Sequence, residues 1–171
     1  MRKRLPVSAR DIRLGLANVN LPGRFQVLPG KPTVVLDVAH NPHAVAALAH
    51  TLDQMGFFPN TYAVFGAMRD KDIAGMLRCM KDAVQHWHLT DLPAPRAAPA
   101  TAIEAVLHRM VSVTQAPSAS KRAHRHIRCF MDAAHAYSEA RARAKENDRI
   151  VVFGSFYTVA AAMSHERAAR S

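Results

Sequence analysis

Only two cysteines occur in 171 residues, Cys79 and Cys129, and neither belongs to a CxxC pair or a metal-ligand spacing. That removes a disulfide-stapled fold and a zinc ribbon, and leaves free thiols, expected to be buried in a reducing compartment. Long apolar runs are missing too. Nothing approaches the roughly 18 residues a membrane-spanning helix requires. The basic start MRKR leads into Leu5 and Pro6 instead of the apolar core of a signal peptide. A soluble, cytoplasmic protein with no membrane partner is expected.

Several catalytic signatures are absent as well. GRFQVLPGKPT, residues 23–33, superficially resembles a phosphate-binding P-loop. Its glycines are too far apart, and Pro32 stands where a Ser or Thr must reach magnesium, so the chain has no Walker A motif. VVFGSFYTVA, residues 151–160, is not a nucleophile elbow, because no residue separates Gly154 from Ser155 and no Gly follows at the required place. There is no aromatic RNA-binding signature, zinc-finger spacing, internal repeat or low-complexity tract.

What the chain does have is a large apolar fraction, 49%, and an excess of base, 23 Lys and Arg against 13 Asp and Glu, for a formal charge of +10. One domain with a real core suits this length. The positive charge falls in separated clusters, at MRKR, at KRAHRHIR from Lys121 to Arg128, and near the C-terminus. Separate patches read as solvated surface, with no nucleic-acid partner expected.

From residue 33 onward the apolar period alternates between strand and helix, as in successive βαβ units, so the fold class is α/β with a mostly parallel sheet. TVVLDVA gives a strand, Val45, Leu48, Leu52 and Met55 a helix closed by Gly56, and TYAVFGA, residues 61–67, the next strand. Ile73, Met76, Leu77, Met80 and Val84 mark a second helix, capped by Asp70 or Asp72. HWHLT, residues 86–90, alternates as a strand. DLPAPRAAP, residues 91–99, is a loop, and a shorter helix carries Ile103, Val106, Leu107 and Met110. SVTQAPSASKRAHRH reads as a surface loop, followed by a poor strand near residues 127–130. A helix over 132–146, a fully buried strand over 149–153 and a helix from Ser155 to about Arg167 complete the pattern. Residues 1–20 break this rhythm: a short helix starts at Ser8 and ends before the turn signal LPGR.

The chemistry concentrates where strands end. In VVLDVAHNPHA, residues 34–44, an apolar strand runs into Asp37 and His40, with Asn41 as helix cap and Pro42 as first helical residue. Open parallel sheets bind ligands at such carboxyl ends. Asp37 suits either of two jobs, accepting hydrogen bonds from a ribose diol or capping the turn that follows. His40 is able to donate to an oxyanion or act as a base near neutral pH. Asp37, His40 and His43 straddle a turn and a helix start, so no metal site is expected. Gly154 permits a tight turn, and Ser155 either caps a helix or holds an anion beside its N-terminus. Arg24, on a Pro-Gly turn, suits phosphate oxygens or a surface ion pair equally well. In AMRDKD, residues 67–72, the aspartates read as caps, with Arg69 and Lys71 as lesser anion candidates.

LPGRF at 21–25, DVAHNPHA at 37–44 and GSFYTVA at 154–160 together resemble the C-terminal domain of bacterial bifunctional dihydrofolate synthase/folylpolyglutamate synthases. The AHNP core is shared with the wider Mur-type amino-acid ligases, and FGAMRDKDI with VFGSFYTVA narrows the resemblance to the folate branch. It covers about residues 5–168. The resemblance implies a Rossmann-like domain that closes over ATP held by a larger N-terminal domain. There ATP phosphorylates a folate or dihydropteroate carboxylate, and the amine of L-glutamate attacks the acyl phosphate. By the same resemblance Arg24 contacts the nucleotide phosphates and Asp37 the ribose or nearby groups. His40 and Ser155 lie near glutamate and the terminal phosphate, with Tyr157 on the same wall. Asn41, Pro42 and Gly154 are structural.

The P-loop and magnesium ligands of that family belong to the N-terminal domain and do not occur here. ATP and Mg2+ are therefore expected to be held mainly by that partner domain. Residues 1–20 would be its tail and linker, residues 21–171 the C-terminal domain, and the chain alone inactive. The competing expectation is a stand-alone Rossmann-like binding module that kept the fold without the ligase reaction.

Overall fold

The computed structural model describes residues 7–18, 21–113 and 126–169. The basic start MRKR, most of the polar segment after Ser112 and the chain's last two residues lie outside the described residues. Twelve elements follow in order: α1 (Ala9–Asn18), β1 (Gln26–Leu28), β2 (Thr33–Leu36), α2 (Pro42–Gln54), β3 (Thr61–Phe65), α3 (Ile73–Met80), β4 (His86–Thr90), α4 (Ala100–Val113), β5 (His126–Phe130), α5 (Ala133–Arg143), β6 (Arg149–Phe153) and α6 (Phe156–Ala168).

The strands form one sheet in the order β1-β2-β6-β3-β4-β5, parallel throughout except for β1, which pairs antiparallel with β2. Parallel strands covered on both faces must be apolar on both, which is why TVVL, TYAVF and RIVVF read as unbroken apolar runs. Within them the side chains still alternate. Val35, Ala63, Phe65, Val151 and Phe153 pack with Trp87 and Leu89 against α2, α3 and α4. Val34, Leu36, Tyr62, Val64, Ile150 and Val152 pack against α5 and α6.

That division of helices follows from chain direction. From β2 through β5 the chain advances one way across the sheet, and from β5 to β6 it returns to the middle. Right-handed crossovers then place the helices of the two journeys on opposite faces. So β6 sits between β2 and β3, and its following helix departs to the face opposite theirs. In open α/β sheets such a reversal is the usual place for a ligand crevice.

The caps expected at Asn41 and at Asp70 or Asp72 are in place, and Asp132 supplies another at the start of α5. Asn41 accepts from the Ala44 N–H at 2.9 Å with Pro42 in the first turn, Asp72 from Gly75 at 2.8 Å, and Asp132 from His135 at 2.7 Å. Each cap of this kind is worth about 1 kcal/mol. Asp72, not Asp70, is the α3 cap, and α3 stops at Met80, with Val84 buried in the turn beyond it. α4 begins at Ala100, earlier than its apolar stripe suggested, because the Asp91 carboxylate accepts the Ala100 N–H at 2.6 Å. α5 ends at Arg143, short of the expected 146.

Two further differences concern the sheet edges. β1 went unforeseen because three residues between Pro-Gly turns carry no period, and its pairing to β2 is a tertiary contact. Cys129, expected to be buried, is exposed on edge strand β5, while Cys79 is half-buried; both are free thiols.

Candidate functional site

Three loops meet at the carboxyl edge of the sheet: 21–25 before β1, 37–41 after β2, and 154–157 after β6. Backbone hydrogen bonds join them. Val38 N–H donates to Gly23 O at 2.7 Å, Gly154 N–H to Ala39 O at 2.9 Å, and Asp37 N–H to Val152 O at 3.0 Å. The motifs singled out in the sequence thus form one hydrogen-bonded platform.

Asp37 is its clasp. One carboxylate oxygen accepts the Ala39 N–H at 2.7 Å, and the other accepts the Phe25 N–H at 2.8 Å, twelve residues upstream. The first bond is the turn cap, one of the two jobs the sequence left open for Asp37; the second was illegible there. Phe25 has φ +40°, a left-handed conformation that a bulky side chain adopts only when its surroundings hold it. Gly23, at φ +72°, is pressed so near Val38 and Val159 that an added Cβ would meet both at 3.1 Å. Arg24 is held between these two constrained residues. Its side chain is exposed and makes no ion pair among the described residues, so the guanidinium faces solvent with its donors available.

His40 is half-buried. Its Nδ1 lies 2.8 Å from Val38 O. A carbonyl only accepts, so Nδ1 carries the proton and Nε2 of the neutral ring is left as an acceptor. The ring stands 6.2 Å from that of Phe156. His43 is exposed on α2, and among the described residues no group of three or more His, Cys, Asp or Glu side chains is arranged to hold a metal.

The third loop depends on Gly154. At φ +99° it places its Cα where an added Cβ would lie 2.6 Å from Gly66 O and from the Phe65 ring. No other residue fits, and that close approach seats β6 against β3. Ser155, 6% exposed, caps α6 by accepting the Tyr157 N–H at 3.2 Å. Thr158 donates from Oγ1 to Gly66 O at 3.3 Å, tying the first turn of α6 to the end of β3. The α2 and α6 N-termini thus open at the same edge, each with backbone N–H groups suited to an anion.

Tyr157 is exposed there beside Phe156, which is 60% exposed, and Leu21 is exposed across the edge. Nothing in the apolar pattern marks this rim, because Phe and Leu are residue types that usually pack inside. AMRDKD turns out to serve its own loop. Arg69 donates to Ala97 O at 3.2 Å, and Asp70 pairs with Lys71 at 3.5 Å and Arg96 at 4.0 Å. The Asp70 backbone N–H, followed by Lys71 and Arg96, holds that carboxyl below the usual range.

Comparison with known proteins returns one consistent group. Residues 23–156 match the family described as Mur ligase, glutamate ligase domain. The chain is 38% identical over 167 residues to the dihydrofolate synthase/folylpolyglutamate synthase of Escherichia coli, covering 98% of this chain and 36% of that protein. Its namesake in Buchnera aphidicola subsp. Acyrthosiphon pisum is 32% identical, with 94% and 36% covered. Among solved structures, the Escherichia coli FolC complex with DHPP and ADP superposes with a TM-score of 0.84 at 37% identity, over 98% of this chain and 36% of that one. A bifunctional folylpolyglutamate synthase/dihydrofolate synthase with Mn, AMPPNP and L-glutamate bound gives 0.79 at 38% identity, over 95% and 36%. The chain therefore spans about a third of the length of the relatives it matches.

Proposed function

The chain belongs to the Mur ligase family as a glutamate ligase domain, and from that premise we propose that it supplies the C-terminal half-site of an ATP-dependent ligase. The parent reaction adds L-glutamate to dihydropteroate or tetrahydrofolate through an acyl phosphate. The observation that carries this reading is the joining of LPGRF, DVAHNPHA and GSFYTVA into one platform at a single sheet edge.

The groups present fit an anionic nucleotide and an amino-acid substrate. When bound, ATP supplies the phosphoryl group that activates the carboxylate. Arg24, fixed by its constrained neighbours, would hold phosphate oxygens in a forked contact. Asp37 spends one lone pair of each oxygen on the backbone and keeps others for ribose hydroxyls. His40 Nε2 would accept a hydrogen bond from the glutamate ammonium group, and the Ser155 hydroxyl, whose oxygen already caps α6, would donate its proton to a carboxylate or phosphate oxygen. Tyr157 would wall the same space. Catalysis of phosphoryl transfer is largely positioning and charge stabilisation, which is what such groups offer.

Magnesium would arrive with ATP and the partner domain. That partner, an N-terminal P-loop domain, would cover the apolar rim of Leu21, Phe156 and Tyr157. Residues 1–20, which expose Val7 and, on helix α1, Ile12 and Leu14, would lead from it. Free Cys79 and Cys129 suit a cytoplasmic setting, and no helix among the described residues is long and apolar enough to cross a membrane.

The test joins this chain to such an N-terminal domain and follows ATP-dependent incorporation of L-glutamate. Activity should appear and fall by about a hundredfold or more in Arg24→Ala and His40→Ala. Equal activity in both variants would refute these assignments.

A further inference from the structure

Arg24 owes its place to the backbone on either side of it, where three successive N–H groups are all bonded within the protein. Arg24 donates to Leu21 O at 3.0 Å, Phe25 to Asp37 Oδ2 at 2.8 Å, and Gly23 to the side-chain Oε1 of Gln26 at 3.0 Å. The Gly23 carbonyl is engaged too, by the Val38 N–H at 2.7 Å. Gly23 is buried, at φ +72°, against Val38 and Val159, so withdrawing the Gln26 oxygen would leave a buried donor without its acceptor.

Gln26 opens β1 and stands opposite Leu36 of β2, one residue before Asp37. The antiparallel pairing therefore brings two side-chain acceptors, Gln26 and Asp37, onto the two amides that flank Arg24. Asp37 has other work, since it also caps the turn at Ala39. The half-buried Gln26 side chain makes no other hydrogen bond among the described residues. We propose that Gln26 is a positioning residue: its amide oxygen, acting through Gly23, holds the backbone from which Arg24 reaches phosphate oxygens. A backbone ordered beforehand need not be ordered when the phosphate arrives, and small misplacements of such a group slow a reaction steeply. The proposal rests on the reading of Arg24 as a phosphate contact, but the hold itself is a property of the ligand-free chain.

Two variants test it, first in the ligand-free 171-residue chain. Gln26→Leu keeps the bulk and removes the oxygen, whereas Gln26→Glu keeps an acceptor. Amide exchange at Gly23 should quicken about tenfold in Gln26→Leu and the Arg24 backbone order parameter should fall, with both restored in Gln26→Glu. The Val34 and Ile150 amides of the core strands should keep their protection. Gly23 and Arg24 unmoved in Gln26→Leu, or an equal loss at the core amides, would overturn the hold. The second measurement joins the chain to an N-terminal P-loop domain and reads kcat/KM for ATP in L-glutamate ligation. Gln26→Leu should lower it about tenfold, and should lower it no further in an Arg24→Ala background. The same loss in both backgrounds would overturn action through Arg24. Full activity in Arg24→Ala would overturn the phosphate reading and with it the part of Gln26 in the reaction, while the exchange measurements would still decide the hold.

Discussion

Replacing Asp37 separates its work on the protein from any work on a ligand. In Asp37→Ala the Phe25 and Ala39 N–H groups both lose their acceptor. A hydrogen bond to a charged group contributes about 1.5–3 kcal/mol, and water reaching this half-buried position recovers part of it. The expected cost is therefore about 2–3 kcal/mol. Asp37→Asn keeps one accepting oxygen, so about half of that cost should remain. Much of the loss should be local, since Phe25 leaves a left-handed conformation as soon as its clasp opens. Amide exchange at Phe25 in the isolated, ligand-free chain is the direct assay, with protection falling about 30-fold or more in Asp37→Ala. Unchanged Phe25 protection and an unchanged urea midpoint would refute the clasp and leave Asp37 a ligand group alone.

Other expectations follow from the same geometry. Gly154→Ala must place a Cβ against Gly66 O and the Phe65 ring at positive φ, so a loss of about 3 kcal/mol or more, or failure to fold, is expected in denaturant titrations. Burial, followed by the neighbouring His126, holds the His86 imidazole below its ordinary value, and burial does the same to His88. Both bind fewer protons folded than unfolded, so the stability they contribute is present above about pH 6.5 and is lost as the pH falls below it. Urea midpoints measured across that range, with the two ring resonances followed, check this. The Cys129 thiol, though on an exposed strand, is pushed up to about 11 by burial of its sulfur and then by Glu104. Its alkylation at mildly alkaline pH should be slow and should accelerate in Glu104→Gln.

What the sequence disclosed depended on whether the deciding interaction was local. Asn41-Pro42 and Asp72 cap helices through bonds to residues three positions on, and both could be read from spacing. The central strands were legible because burial on both faces leaves no room for polar residues. β1 was not, since Gln26–Leu28 is a strand only by pairing with β2. The site divides the same way. The bond from Asp37 to Ala39 is local and was one of the two jobs open to it from sequence, whereas its bond to Phe25 joins segments that only the fold brings together. Arg149 shows the limit most clearly. The strand it opens was expected to be fully buried, but nothing local says that its guanidinium turns beneath the end of α2 to donate to Leu52 O.

The central claim is that this chain holds half of a ligase site. Its most direct test is the rate of ATP-dependent L-glutamate ligation to dihydropteroate by the purified 171-residue chain, measured beside the same chain joined to an N-terminal P-loop domain. No ligation by the first and turnover by the second is the predicted result. Ligation by the chain alone, or none by the joined protein once it is shown to be folded, would contradict the account.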